Sequence, residues 1–185
     1  VKRHSFPTRP SSDLYGLEPE IVSGGKGLSG GVGSLAMTCA GTGVIQKFFG
    51  GTTPTSGGNA VSAAAGLALI ETLIDERLLD NAAAMGRHFT EGAWALRDPW
   101  IGDVRFTGLL GGIELVANRD TKEVLGKKPM AAIKDALHDA GMLITVSGTY
   151  GNVLRLQPPL VVTAAQIDSF LDVLRVVLTT VRAAG

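Results

Sequence analysis

The chain has 185 residues, 45% of them hydrophobic, and its 17 Lys+Arg balance 17 Asp+Glu. That is enough apolar material for a buried core, in one domain or two small ones, and no overall field recruits nucleic acid or an anionic membrane. The single cysteine, Cys39, excludes an intrachain disulfide and suits a reducing compartment, where its ordinary role is a small buried apolar residue. His4, His88 and His138 are too scattered for a metal-ligand cluster. No apolar run approaches the roughly 20 residues of a membrane span, and the N-terminus lacks the charged-then-apolar form of a signal peptide. The expectation is a soluble cytoplasmic protein without metal, nucleic-acid or membrane partners. Its 25 glycines and few aromatics suit an α/β chain with tight turns.

Residues Val1–Leu14 (VKRHSFPTRPSSDL) carry two prolines and no apolar periodicity, and they resemble translated sequencing adapter. They are set apart as a spurious or disordered leader. Glu20–Ser23 reads as a strand end, Ser34–Cys39 as a run of strand length, and Val44–Phe49 as a short helix. Thr52–Asn59 is a polar turn ending in a good N-cap residue. From Ala60 to Ile74 nearly every residue is small or apolar, which predicts a helix buried on most sides. A second helix spans about Glu76–Leu96, with Leu78, Ala82, Met85, Phe89 and Leu96 on one face.

Asp98-Pro99-Trp100 breaks the pattern, and the domain boundary is drawn there, giving 15–98 and 99–185. Val104–Phe106 and Leu109–Val116 read as strands around Gly108. Pro129 suits a first helical position, Met130, Ile133 and Leu137 form a stripe, and Gly141 closes the helix. Met142–Val146 and Val153–Leu156 are strands joined by a turn at Gly148–Asn152, and Pro158-Pro159 stops the second. Thr163-Ala164-Ala165-Gln166 is a capping box opening a helix with Ile167, Phe170, Leu174, Val177 and Val181 on one face.

The stretch Ile21–Gly33 (IVSGGKGLSGGVG) is a short apolar run ending in glycines around one lysine. By itself it fits a solvated loop as well as a site. Gly25–Gly30 is formally G-x-G-x-x-G, but Gly31 and Gly33 spoil a helix start and no Asp or Glu occurs between Glu20 and Glu71 to bind a ribose. A Walker loop fails too, with Glu20 at its first glycine and Gly27 where Ser or Thr should hold magnesium. A lysine between glycines at a strand end has another use, since an accessible amine condenses with a carbonyl. Thr55-Ser56-Gly57-Gly58, ahead of a helix N-terminus, offers hydroxyls and free amides to a phosphate, although Thr55 alone is an ordinary turn residue.

These segments resemble the class III, pyridoxal-phosphate-dependent aminotransferases. Glu20–Gly31 is similar to that family's cofactor-lysine segment, and Thr55–Asn59 to its Thr-aromatic-Gly-Gly-Asn-Pro segment. Gly102–Arg105 with Gly108–Leu115 resembles the opening of its small C-terminal domain, and Asn152–Leu160 its substrate-arginine segment. Glu20 stands where Asp is usual, Ser56 where an aromatic is common, Ala60 where Pro is usual and Phe106 where a glycine follows the Val-Arg pair. No counterpart is found of the family's N-terminal carboxylate, stacking ring or phosphate loop, so the chain is expected to be a truncated piece, about the C-terminal half.

The resemblance implies fold type I: the end of a cofactor-binding large domain with a mainly parallel sheet (15–98), then a small α+β domain (99–185). Lys26 would carry pyridoxal 5'-phosphate as a Schiff base and serve as the catalytic base and acid. Thr55 would bind the cofactor phosphate across the interface of a homodimer with shared active sites. Arg155 would clamp the carboxylate of an amino acid or 2-oxo acid; a surface-paired strand-end arginine is the alternative. Arg105 is read as structural and Glu114 as a solvent-facing strand residue. The implied function is an amino-group transferase, leaning towards 4-aminobutyrate, other ω-amino acids or alanine–glyoxylate. A mutase, racemase or lyase of the same family is the alternative, as is an inactive piece lacking half of the site.

Overall fold

The computed structural model describes residues 16, 18–47, 55 and 57–184. The leader expected over 1–14 and most of the polar turn over 52–56 lie outside the described residues. The chain divides into two compact units, one ending at Leu79 and one spanning Asp80–Gly185.

In the first unit, β1 (Ile21–Gly24) pairs antiparallel with β2 (Met37–Ala40), Ile21 opposite Ala40 and Gly24 opposite Met37. A 3-10 turn over Lys26–Ser29 follows β1 and ends on Gly30 at φ 63°. Helix α1 is a single turn at Thr42–Ile45, two residues earlier than the expected start at Val44; Gln46 and Lys47 form a turn instead of continuing the helix, and residues 48–49 lie outside the described residues. Helix α2 (Ala60–Asp75) starts as expected at Asn59, whose side chain accepts from the Ser62 amide at 2.9 Å. All strand pairs among the described residues are antiparallel. Among the described residues β1 and β2 form a two-stranded sheet of their own.

Two expectations for this unit change. Helix α2 buries only Ser62, Gly66 and Leu73, while Val61, Leu67 and Ile74 are 69, 58 and 60% exposed. An apolar sequence says that a helix face wants cover, not that its own unit supplies it. Cys39 is partly exposed in β2, not buried.

The second unit takes most of α3 (Leu78–Ala95) and a five-stranded antiparallel sheet. Strands β3 (Ile101–Thr107) and β4 (Leu110–Asn118) form a hairpin over Gly108 at φ 55°; β3 is longer than expected at both ends, while β4 starts one residue later and runs two residues further. A short β5 (Glu123–Val124) pairs with β4. Then come α4 (Lys127–Asp139), β6 (Thr145–Ser147), β7 (Val153–Leu156) and α5 (Ala164–Ala183). The spatial order is β3-β4-β7-β6. Pro129 is the third helical residue rather than the first, still within the turn where a missing N–H costs nothing. The capping box forms in full, with Thr163 and Gln166 satisfying each other's backbone amides.

The core follows the apolar spacing. Met130, Ile133 and Leu137 of α4 and Ile167, Phe170, Leu174 and Val177 of α5 are buried with Ile113 and Leu154 of the sheet. Contacts hold α3 within this unit. Phe89 stacks on Phe106 at 4.7 Å and tilts against Phe170 at 5.5 Å. Asn81 donates to the carbonyls of Leu160 and Val162 at 2.7 and 3.1 Å.

Candidate active site

The lysine turn is built by its glycines. Strand β1 ends at Gly24, and Lys26 then takes φ 54°. That left-handed conformation costs a non-glycine residue about 1–3 kcal/mol; Arg77, Arg97 and Lys122 also adopt it. The side chain is exposed, and a Cβ on neighbouring Gly27 would meet nothing within 4 Å. The surroundings of Lys26 are therefore open backbone that a ligand can approach closely.

Behind the lysine the turn is anchored. Ser29 is fully buried and its hydroxyl donates to the Gly33 carbonyl. An ideal Cβ on Gly33 would fall 2.4 Å from Ser62 Oγ, and one on Gly66 3.2 Å from the Leu28 carbonyl oxygen. The glycine-rich segment therefore seats directly on the first two turns of α2. Thr55 is exposed in a turn ahead of the same helix, followed by Gly57 and Gly58, the latter at φ 68°. The positive end of the α2 dipole favours an anion on this approach, although the Ser62 amide is already taken by the Asn59 side chain. Lys26 and Thr55 thus belong to one unit and attach to one helix, whereas Arg155 belongs to the other unit.

Arg155 sits on β7, an inner strand. Leu154 and Leu156 point into the core, so Arg155 takes the outer face and is exposed. Its Nε and Nη2 both donate to Gln157 Oε1, at 3.0 and 2.7 Å. A neutral amide oxygen thus occupies the fork that would fit a carboxylate. Gln157 was not anticipated from the sequence. The available signal was its position two residues on, on the same face.

The register builds a row across that face. Gly112 of β4 lies opposite Arg105 of β3 on one side and Arg155 on the other. Gly112 adds no side chain and is covered by Val153, whose Cγ1 would be 2.6 Å from a Cβ there. In the adjacent row Glu114 lies between Asp103 and Val153. Arg105 bonds both acids, Glu114 at 2.8 Å and Asp103 at close range. Those hydrogen bonds, Glu114's first, raise the Arg105 pKa from its ordinary value. Arg105, read from the sequence only as structural, is the centre of an ion-pair cluster with Asp103 and Glu114. Glu114 is partly buried and paired, not simply solvent-facing.

The chain is similar to known proteins in both sequence and structure. The family described as aminotransferase class-III matches residues 11–178. An acetylornithine aminotransferase from Synechocystis sp. is 35% identical over 173 residues, covering 89% of this chain and 37% of that protein. A transaminase structure from the marine bacterium Virgibacillus superposes with a TM-score of 0.87 at 26% identity, covering 97% of this chain and 43% of that one. A phospholyase from Arthrobacter, in complex with phosphoethanolamine, reaches 0.87 at 25% identity, covering 95% of this chain and 42% of that one. The chain therefore spans less than half the length of each of these relatives. The matched segment includes the lysine turn, Thr55 and the Arg155 strand, and the chain belongs to the class III aminotransferase family.

Proposed function

We propose that this chain contributes the cofactor lysine and the carboxylate clamp of a pyridoxal-phosphate-dependent aminotransferase. The observation that carries the reading is Lys26, an exposed amine held at positive φ among glycines on a turn anchored to α2. The residues present fit the cofactor: an amine for its aldehyde, bare backbone beside that amine, and a hydroxyl with glycines before a helix N-terminus for its phosphate. When bound, pyridoxal phosphate supplies the aldehyde that takes up the amino group and the ring that accepts electrons released at the substrate Cα.

Lys26 Nζ would hold the cofactor and would move a proton at the substrate Cα, first as base and then as acid. Thr55 Oγ1 would donate to a phosphate oxygen of the cofactor. Arg155 orients the substrate by a two-bond grip on its carboxylate. By family resemblance residues 15–98 come from the cofactor-binding large domain and 99–185 from the small domain, although most of helix α3 (Leu78–Ala95) packs within the second compact unit. The active unit is a homodimer, a reading supported by the uncovered apolar residues Val61, Leu67 and Ile74 of α2. Its setting is the cytoplasm, consistent with one cysteine and, among the described residues, no helix long and apolar enough to cross a membrane. Substrates are amino or ω-amino acids and 2-oxo acids.

Borohydride reduction of the protein supplied with pyridoxal phosphate is expected to leave a stable phosphopyridoxyl group on Lys26, with none on Lys26→Ala. A label on another lysine in the unsubstituted protein, or no label, overturns the reading. The likeness to the phospholyase supports a second reading, a lyase on the same lysine. An amino donor that converts the bound aldehyde to the amine form selects the transferase. Phosphate release from phosphoethanolamine without that conversion selects the lyase.

A further inference from the structure

Glu114 occupies a position with two choices. It is diagonal to Arg105 through the Asp103–Glu114 and Arg105–Gly112 pairs, and diagonal to Arg155 through the Glu114–Val153 and Gly112–Arg155 pairs. Diagonal neighbours on one face of a sheet lie about 7–8 Å apart at Cα, within reach of long side chains. Glu114 bonds Arg105 at 2.8 Å, while Arg155 keeps the neutral Gln157. Asp103, the other carboxylate of these rows, is also taken by Arg105. One arginine is thus saturated by two acids, and two strands away a second keeps its charge uncompensated by any carboxylate among the described residues.

We propose that Arg105 is a positioning residue that keeps Arg155 open to a substrate carboxylate by holding Glu114 on the β3 side. The proposal rests on the reading of Arg155 as the carboxylate clamp. Without Arg105, Glu114 faces Asp103 with no cation between them, a like-charge pair that a sheet disfavours. It then has every reason to turn to Arg155. A carboxylate tethered beside a guanidinium acts at a high effective concentration and competes with any carboxylate arriving from solution.

The test measures, in the holoenzyme, the dissociation constants of propanoate, an unreactive carboxylate, and of propylamine, which lacks one. Arg105→Gln is expected to weaken propanoate about tenfold and leave propylamine unchanged, on the scale of one charge-assisted hydrogen bond. Adding Glu114→Gln is expected to bring propanoate back to within about twofold, since the competing carboxylate is gone. Damage to the fold would not be repaired by that second change. Should Arg105→Gln not fold, Arg105→Lys keeps the charge but not the two-acid fork. It is expected to weaken propanoate by a smaller factor, again cancelled by Glu114→Gln. Unchanged propanoate binding in the Arg105 variant, or a loss that Glu114→Gln does not reverse, overturns the proposal. Arg155→Gln separates the premise from the inference: if it leaves propanoate binding intact, the clamp reading itself falls. If it weakens propanoate while Arg105 variants do not, only the role of Arg105 falls.

Discussion

Arg182, near the end of α5, places Nη1 2.8 Å from both carboxylate oxygens of Asp98, and the two residues are 84 positions apart in the chain. Asp98 is only 7% exposed and its Oδ1 also accepts from the Trp100 amide at 2.9 Å. The guanidinium of Arg182 lies over the Trp100 ring at 5.5 Å. One acid therefore ties the last helix to the start of β3. Asp98→Ala strands a partly buried guanidinium and frees a backbone amide, and is expected to lower stability by about 2 kcal/mol. Asp98→Asn keeps an acceptor for Trp100 and should lose less. Urea unfolding of both variants checks the order.

Helix α3 meets the β3–β4 hairpin through a missing side chain. A Cβ on Gly86 would sit 2.1 Å from the Gly108 carbonyl oxygen and 2.7 Å from its carbon. Backbone cannot step aside as a side-chain tip can. Gly86→Ala is expected to destabilise by at least about 2 kcal/mol, even though alanine improves helix propensity by about 1 kcal/mol. Gly92 on the same helix meets only side-chain atoms of Leu171, with Cδ1 at 2.4 Å. Gly92→Ala should therefore cost no more than about 1 kcal/mol. Equal losses at the two positions in thermal unfolding would contradict the close approach at Gly86.

Phe106 departs from the glycine usual in the family, and the departure is a packing change. It lies opposite Gly111, and its ring passes over that residue, where a Cβ would be 2.2 Å from Cδ1. The same ring stacks on Phe89. Phe106 alternates with Arg105 and so faces the core, away from Arg155. Phe106→Ala is expected to cost about 2 kcal/mol of stability, with carboxylate affinity unchanged. A shift in propanoate binding without a shift in melting temperature would reverse this assignment.

What the sequence made legible was mostly local. Asn59 caps α2 and Thr163 with Gln166 caps α5 because each device closes within three residues. Gly108 marks the hairpin, and the stripes of α4 and α5 fall where their spacing puts them. Lys26, Thr55 and Arg155 were singled out by segment and order, with roles that follow from the family rather than from spacing. The exposure of Val61, Leu67 and Ile74 was not legible, since composition does not say what covers a helix. Asp98–Arg182 and the Arg105–Gly112–Arg155 row depend on long-range register, which no periodicity encodes.

Gln157 gives the last prediction. Its amide oxygen holds the Arg155 fork through Nε and Nη2 and leaves the positive charge unneutralised. Gln157→Glu places a charged acceptor at the same spot with nearly the same shape. The resulting pair is an internal competitor for the guanidinium, so carboxylate affinity is expected to fall about tenfold or more. Gln157→Ala removes the holder without adding a competitor, and its effect should stay within about threefold, from looser orientation alone. Both residues are exposed, so neither change should move the melting temperature appreciably. Titration of the holoenzyme with propanoate distinguishes the two. If Gln157→Glu binds it as well as the unsubstituted protein does, Arg155 is not the group that receives the carboxylate.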